Sequence, residues 1–252
     1  MKVTVVQSEI IWHDPAENIS RVEAELATVN STDLIVLPEM WFCGFTMKVE
    51  SMAAHTPLAL ERMQQWAQKK EAVICGSMIT RHQTTDFRNR LYFVSSKGIL
   101  DTYDKKHLFS YAGEDRYFTP GNTKLDIRLG NLKVRANICY DLRFPVWSSN
   151  DTGYDVLLYS ANWPDKRIEA WKALLIARAI ENQCYVIGCN CVGQDAWGNT
   201  YEGHSAIIGP DGTVLKTLKG SGILEEELDK KALETFRKEL PFLKDADAFK
   251  LS

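Results

Sequence analysis

The chain has 252 residues, 45% of them hydrophobic and 25% charged, with a formal net charge of −3. That length holds one large core and the composition is ordinary for a globular protein, so a single domain over 1–252 is expected. No basic field recruits nucleic acid or an anionic membrane, and no apolar run reaches transmembrane length, so neither partner is expected.

Met1-Lys2 leads directly into the apolar run 3–6, which reads as a strand and not as a signal peptide. Asp14, Pro15 and Glu17 mark a helix start, with Asp14 at the N-cap and Glu17 closing a capping box. Ile19, Val22, Leu26 and Val29 form its apolar stripe. Leu34-Ile35-Val36-Leu37 is apolar on both faces, as in a strand covered on both sides, and it ends at Pro38-Glu39. Thr56-Pro57 opens a second helix with Leu60, Met63, Trp66 and Ala67 inward. Residues 72–78 are again a continuous apolar strand, and 91–95 with 99–103 form a hairpin about Ser96-Lys97-Gly98. The stretch 110–122 is polar and turn-rich, a long loop. Leu132, Val134, Ala136 and Ile138 then alternate with Lys133, Arg135 and Asn137, and the strand pattern stops at Cys139. Asp141 and Pro145 mark a turn and a helix start.

Residues 155–160 are a buried strand ending in Asn162-Trp163-Pro164. A long helix over 167–182 carries Ile168, Trp171, Leu174, Leu175 and Ile180, and 185–192 is a strand with Cys189 and Cys191 on one face. Residues 203–208, 213–217 and 222–226 are antiparallel strands, with Pro210-Asp211-Gly212 as a turn, and Leu233, Phe236 and Leu240 belong to a last helix. Helices alternate with strands while hairpins interleave. An α/β fold of two sheets with outer helices fits this better than one parallel sheet.

Three strand ends offer reactive groups: Glu39, Lys105 and Cys139. A buried structural thiol is the plain reading of one cysteine. Placed between a strand and a helix, however, Cys139 is expected to feel the positive end of the helix dipole, which lowers a thiol pKa. Glu39 can act as its base, Lys105 can hold the oxyanion formed by attack on an amide, and the Tyr140 N–H can be a second oxyanion donor. His107 is the competing base, though a histidine there is more often a hydrogen-bonded structural group. Trp41, Phe42 and Phe45 wall the pocket or merely pack, Glu181 and Asn182 brace a helix end, and Tyr201 and His204 have no assigned role. The six cysteines (43, 75, 139, 184, 189, 191) form no CxxC pair, so zinc is not expected, and free thiols without an export signal point to the cytoplasm.

These motifs resemble the nitrilase superfamily of carbon–nitrogen hydrolases. The resemblance covers nearly the whole chain and rests on Leu37-Pro38-Glu39, Tyr103-Asp104-Lys105-Lys106-His107-Leu108, and Ile138-Cys139-Tyr140-Asp141-Leu142-Arg143-Phe144-Pro145, in the family's order. The helix motif Arg178-Ala179-Ile180-Glu181-Asn182-Gln183 is similar too, and Gly113-Glu114 resembles the loop of the family's second glutamate, so Glu114 is carried over as an assistant to the lysine or substrate. The resemblance implies a four-layer αββα sandwich, a homodimer or higher homo-oligomer, and no metal or organic cofactor. Residues 139–147 and 159–167 look most like the omega-amidase branch, which hydrolyses the terminal amide of 2-oxo dicarboxylic acid monoamides such as 2-oxoglutaramate.

A substrate of that kind keeps one carboxylate away from the scissile amide, and an apolar pocket cannot hold it without a cation or several N–H donors. Arg167, beside Trp163, is the expected grip, with Arg143 as the second choice; Arg143 is otherwise structural and paired with Asp141. Alternatives are another superfamily amidase acting on deaminated glutathione or an N-carbamoyl compound, an isochorismatase-like hydrolase on one doubly wound sheet, or a thiol sensor without turnover. The hairpins argue against the single sheet, and a sensor needs no Lys105.

Overall fold

Residues 1–249 are described by a computed structural model. The first half forms β1 (Lys2–Gln7), β2 (Glu9–Ile10), α1 (Pro15–Ala27), β3 (Leu34–Val36), α2 (Val49–Ala53), α3 (Thr56–Lys70), β4 (Val73–Gln83), β5 (Asp86–Ser95) and β6 (Gly98–Asp104). The second half forms β7 (Leu125–Leu129), β8 (Leu132–Ile138), α4 (Pro145–Ser148), β9 (Val156–Ser160), α5 (Ile168–Asn182), β10 (Tyr185–Cys189), β11 (Val192–Gln194), β12 (Thr200–Ile208), β13 (Val214–Lys219), β14 (Gly222–Glu227) and α6 (Lys230–Glu239). One sheet runs β14-β1-β3-β4-β5-β6 and the other β2-β11-β12-β10-β9-β8-β7, with β13 also paired to β12. Each holds a parallel triplet, β1-β3-β4 and β8-β9-β10.

The strand β3 explains the layering. Leu34 and Val36 point into a core between the sheets, with Val134, Ala136, Leu158 and Ile187. Ile35 and Leu37 point the other way, into a core shared with Val22 and Leu26 of α1 and Met63 and Trp66 of α3. A third core sets Leu157, Tyr159 and Val186 against Trp171 and Leu175 of α5. Three apolar interfaces make four layers, αββα. Gly188 lets α5 settle on β10, because a Cβ there would meet Leu175 and Trp171. The α1 cap forms as its sequence dictates, with Glu17 N–H donating to Asp14 Oδ1 at 3.0 Å.

Several boundaries differ from the periodicity. The apolar run from 72 continues through a polar alternation to Gln83, because that half pairs with β5 out to Asp86, with one register shift between Arg81 and Gln83. The short α2 has too few residues for a periodic signal. The run 185–192 breaks after Cys189, so Cys189 lies between the sheets while Cys191 joins a separate small cluster with Ile10 and Tyr201. Pro145 opens only one turn of helix, preceded by a 3₁₀ turn over Cys139–Arg143. The helix after Arg167 begins with a 3₁₀ turn over Asp165–Arg167, and its Ile180 is 52% exposed.

Candidate active site

The carboxyl ends of β3, β6, β8 and β9 meet, and Glu39, Lys105, Cys139 and Asn162 follow them directly. Ligand crevices of α/β sheets lie beyond such ends. Cys139 has φ 44°, a left-handed conformation that costs a non-glycine residue about 1–3 kcal/mol and makes a sharp turn, with Cys139 at the lining of a cavity. The Asp141 carboxylate holds that turn. It accepts from the Ile138 N–H at 3.0 Å, from Tyr103 Oη at 2.7 Å, from the His107 N–H at 2.9 Å, and lies 2.8 Å from His107 Nδ1. The turn at Cys139 is thereby tied to the segment carrying Lys105. The loop 110–122 folds back over that segment, the Gly121 N–H donating to Lys105 O at 2.9 Å; a side chain at Gly121 would strike Asp104.

Lys105, Glu39 and Glu114 are buried together. Lys105 Nζ donates to Glu39 Oε1 at 2.8 Å and to both oxygens of Glu114 at 3.0 and 2.9 Å. The Phe109 N–H donates to Glu114 Oε2 at 2.5 Å. Glu39 Oε2 accepts from the Asn162 N–H at 3.1 Å, while the Asn162 side chain donates to the Glu39 carbonyl. The thiol of Cys139 reaches the Asn162 carbonyl at 3.7 Å. Burial by itself depresses the Lys105 ammonium, but Glu114 and Glu39, with the Cys139 sulfur, outweigh it and hold the group above its ordinary value. Burial raises the Glu114 carboxyl, and Glu39 adds to this while Lys105 opposes it.

The Cys139 thiol departs from the helix-dipole expectation. Burial pushes it well above the ordinary thiol range, the Glu39 carboxylate adds to the rise, and Lys105 only partly opposes them. One turn of α4 beyond a 3₁₀ turn offers too little dipole to compete. Its surroundings therefore favour the neutral thiol.

Above this cluster lies a cavity of about 320 Å³. Its floor shows Glu39, Lys105 and Cys139; Phe45, Phe109, Tyr140 and Trp163 wall it; Arg143, Lys166, Arg167, Tyr111 and Trp197 rim it. The Arg143 guanidinium lies over the Trp163 ring at 4.9 Å and that of Arg167 over Phe109 at 5.1 Å. Among the described residues neither has a carboxylate partner, so the expected Arg143–Asp141 pair does not form; Asp141 is already saturated. His107 stacks on Phe144 at 3.9 Å and is not in the cavity wall. Of the three aromatics after Glu39, Phe45 faces the cavity, and Trp41 and Phe42 are core. Glu181 pairs with Arg178 at 2.9 Å, and Asn182 donates to Arg178 O. Tyr201 lines the cavity and donates to buried Asp195, whose carboxylate orders the turn carrying Trp197 and Asn199. His204 stands 3.8 Å from Glu202.

Sequence reasoning misses Asn89, whose amide reaches Glu39 and Glu114, and gives Asn162 no role. A signal for Asn89 exists: it shares the buried face of β5 with Phe87, Leu91 and Phe93, a polar residue at an inward position.

The family model for carbon–nitrogen hydrolase matches residues 2–238. The chain belongs to the carbon–nitrogen hydrolase family. It is 39% identical to the omega-amidase YafV of Escherichia coli strain K12, over 100% of this chain and 98% of that protein. It is 35% identical to the 2-oxoglutaramate amidase of Bacillus subtilis strain 168, over 96% of each. A solved CN-hydrolase superfamily protein of Xanthomonas campestris, with an arsenic adduct in its active site, superposes with a TM-score of 0.96 at 32% identity, over 100% of this chain and 99% of that one. The four-layer fold is the nitrilase-type fold, and amide hydrolysis is the reaction this enzyme performs. No described helix is long and apolar enough to cross a membrane.

Proposed function

We propose that the enzyme cleaves the terminal amide of a small 2-oxo dicarboxylic acid monoamide, of the 2-oxoglutaramate or 2-oxosuccinamate class, to the acid and ammonia. The observation carrying this reading is the pair of guanidiniums at the rim, Arg143 and Arg167, laid on aromatic rings without carboxylate partners above the Glu39–Lys105–Cys139 floor. A substrate with an amide at one end and a carboxylate at the other spans that arrangement. The relatives named for omega-amidase and 2-oxoglutaramate amidase activity support it.

The roles follow from the hydrogen bonds. Glu39 Oε1 is occupied by Lys105, whereas Oε2 accepts from the Asn162 N–H and has a lone pair left. Oε2 takes the Cys139 proton, and the thiolate attacks the amide carbon. Lys105 and the Tyr140 N–H hold the oxyanion; a positioned donor of this kind is worth about 3–4 kcal/mol of barrier. Collapse breaks the C–N bond and Glu39 returns its proton to the departing ammonia. Water then gives a proton to Glu39 and attacks the thioester, the acid leaves, and the proton goes back to sulfur.

Arg167→Met is expected to raise KM for 2-oxoglutaramate strongly and to spare a neutral short amide, read as ammonia release. Equal loss on both substrates assigns Arg167 a folding role, and no loss on either removes it from the site; Arg143→Met is the parallel test. We also infer a cytoplasmic homodimer. Ile180 beside Gly212, with Val214 and Leu215 of β13, exposes an apolar face, and the six cysteines are unpaired thiols. Sedimentation equilibrium at micromolar concentration checks the dimer, and a monomer there overturns it.

A further inference from the structure

Lys105 is over-committed. Its ammonium has three protons, and three carboxylate oxygens lie at bonding distance, one on Glu39 and two on Glu114. To hold an oxyanion it has to withdraw at least one of those bonds. A buried carboxylate oxygen that loses its donor resists the change, because an unmade bond in a dry site is costly.

Asn89 stands where this conflict is resolved. It is 1% exposed on β5, and its own carbonyl accepts from the Lys105 N–H at 2.9 Å, so the two residues are held side by side. Its Nδ2 donates to Glu39 Oε1 at 2.7 Å and to Glu114 Oε1 at 3.1 Å. Those two oxygens are also bonded by Lys105 Nζ. We propose that Asn89 is a positioning residue that duplicates the bonds of Lys105 to both carboxylates, so that the ammonium can turn to the oxyanion while Glu39 and Glu114 stay satisfied and in place.

A primary amide suits this task. One nitrogen offers two N–H groups that diverge toward two acceptors, without adding charge. A lysine or arginine here would add a second buried cation beside Lys105. The amide faces the carboxylates with its nitrogen, and Asn89 Oδ1 is turned away without a protein partner among the described residues. The residue serves through its donors.

This inference rests on the proposed roles of Lys105 and Glu39, and the test separates the two. Asn89→Leu keeps the shape and removes both donors; Asn89→Ser restores one O–H. Steady-state kinetics on 2-oxoglutaramate, with far-UV circular dichroism, read both variants. The leucine variant is expected to lose roughly 10–100-fold in kcat, as partners behind a reacting group commonly do, with KM within about threefold. The serine variant falls between it and the wild type. Wild-type kcat in Asn89→Leu overturns the proposal, as does an Asn89→Ser variant as impaired as the leucine variant, which indicates packing alone. Should the leucine variant fail to fold, the serine variant decides: a fall in kcat with KM within about threefold supports the proposal, and wild-type kcat overturns it. Full activity in Lys105→Met instead removes the oxyanion role on which the inference depends.

Discussion

The floor and the rim of the cavity hold cations in opposite ways. At the floor, Lys105 is 1% exposed and bonded to two carboxylates that are themselves 0% exposed. At the rim, Arg143 and Arg167 are half-buried, propped on Trp163 and Phe109, and unpaired among the described residues. A cation already neutralised attracts a resting anion weakly but is fixed in place for charge that develops nearby. An unpaired guanidinium attracts the charge a substrate brings with it. Only interactions stronger in the transition state than in the ground state raise kcat. Floor substitutions are therefore expected to act on kcat and rim substitutions on KM.

The largest break is Cys139→Ala. Ammonia release is expected to vanish while the fold, followed by circular dichroism, is retained. Measurable turnover near wild type ends the thioester route.

Next is Lys105→Met. Loss of the oxyanion cation is expected to cost about 3–4 kcal/mol, roughly 10²–10³-fold in kcat. It also leaves Glu39 and Glu114 buried without their cation, and breaking a buried pair in this way commonly costs about 3–5 kcal/mol of stability. A thermal melt is expected to show the drop. If kcat falls while Tm stays unchanged, the carboxylates are already served by other donors, which is the office proposed for Asn89.

Glu39→Gln sharpens the comparison within the floor. Loss of the base is expected to lower kcat by about 10²-fold or more with little change in KM. The thiol should respond in the opposite sense. Burial raises it first and the Glu39 charge adds to the rise, while Lys105 opposes both. Removing the carboxylate charge leaves burial as the main effect that Lys105 opposes, so the thiol ionises at lower pH and iodoacetamide alkylates Cys139 faster. A variant that turns over more slowly and is also alkylated more slowly contradicts this account.

The same contrast explains what the sequence makes legible. Glu39, Lys105 and Cys139 each end a strand pattern, and residues at strand ends are visible one at a time. The four layers are legible in Leu34-Ile35-Val36-Leu37, because apolar side chains on both faces require cover on both sides. Asn89 is hidden because its partners lie 50 and 25 residues away, and one inward amide carries no chemistry until they arrive. The ionisation of Cys139 is hidden for a related reason. The strand–turn pattern suggests a dipole, whereas the burial and the Glu39 charge that prevail depend on tertiary packing. At the rim, the turn carrying Trp197 has no periodicity, and only the pairing of β11 with β12 brings it to the cavity.

The smallest effect belongs to Lys166, the exposed cation of the rim, whose Nζ reaches Asn199 Oδ1 at 3.3 Å and no other acceptor among the described residues. An exposed charge is screened beyond about 10 Å at 0.1 M salt, so Lys166 acts on approach rather than on the bound state. Lys166→Met is expected to lower kcat/KM for an anionic monoamide by about twofold at low salt, to leave kcat unchanged, and to flatten the decline of kcat/KM with ionic strength. A neutral amide should show neither effect, because it brings no charge for the rim to steer. Equal salt dependence for the neutral and the anionic substrate would mean that salt acts on the floor, and the separation between a floor that responds to reaction and a rim that responds to charge would fail at that point.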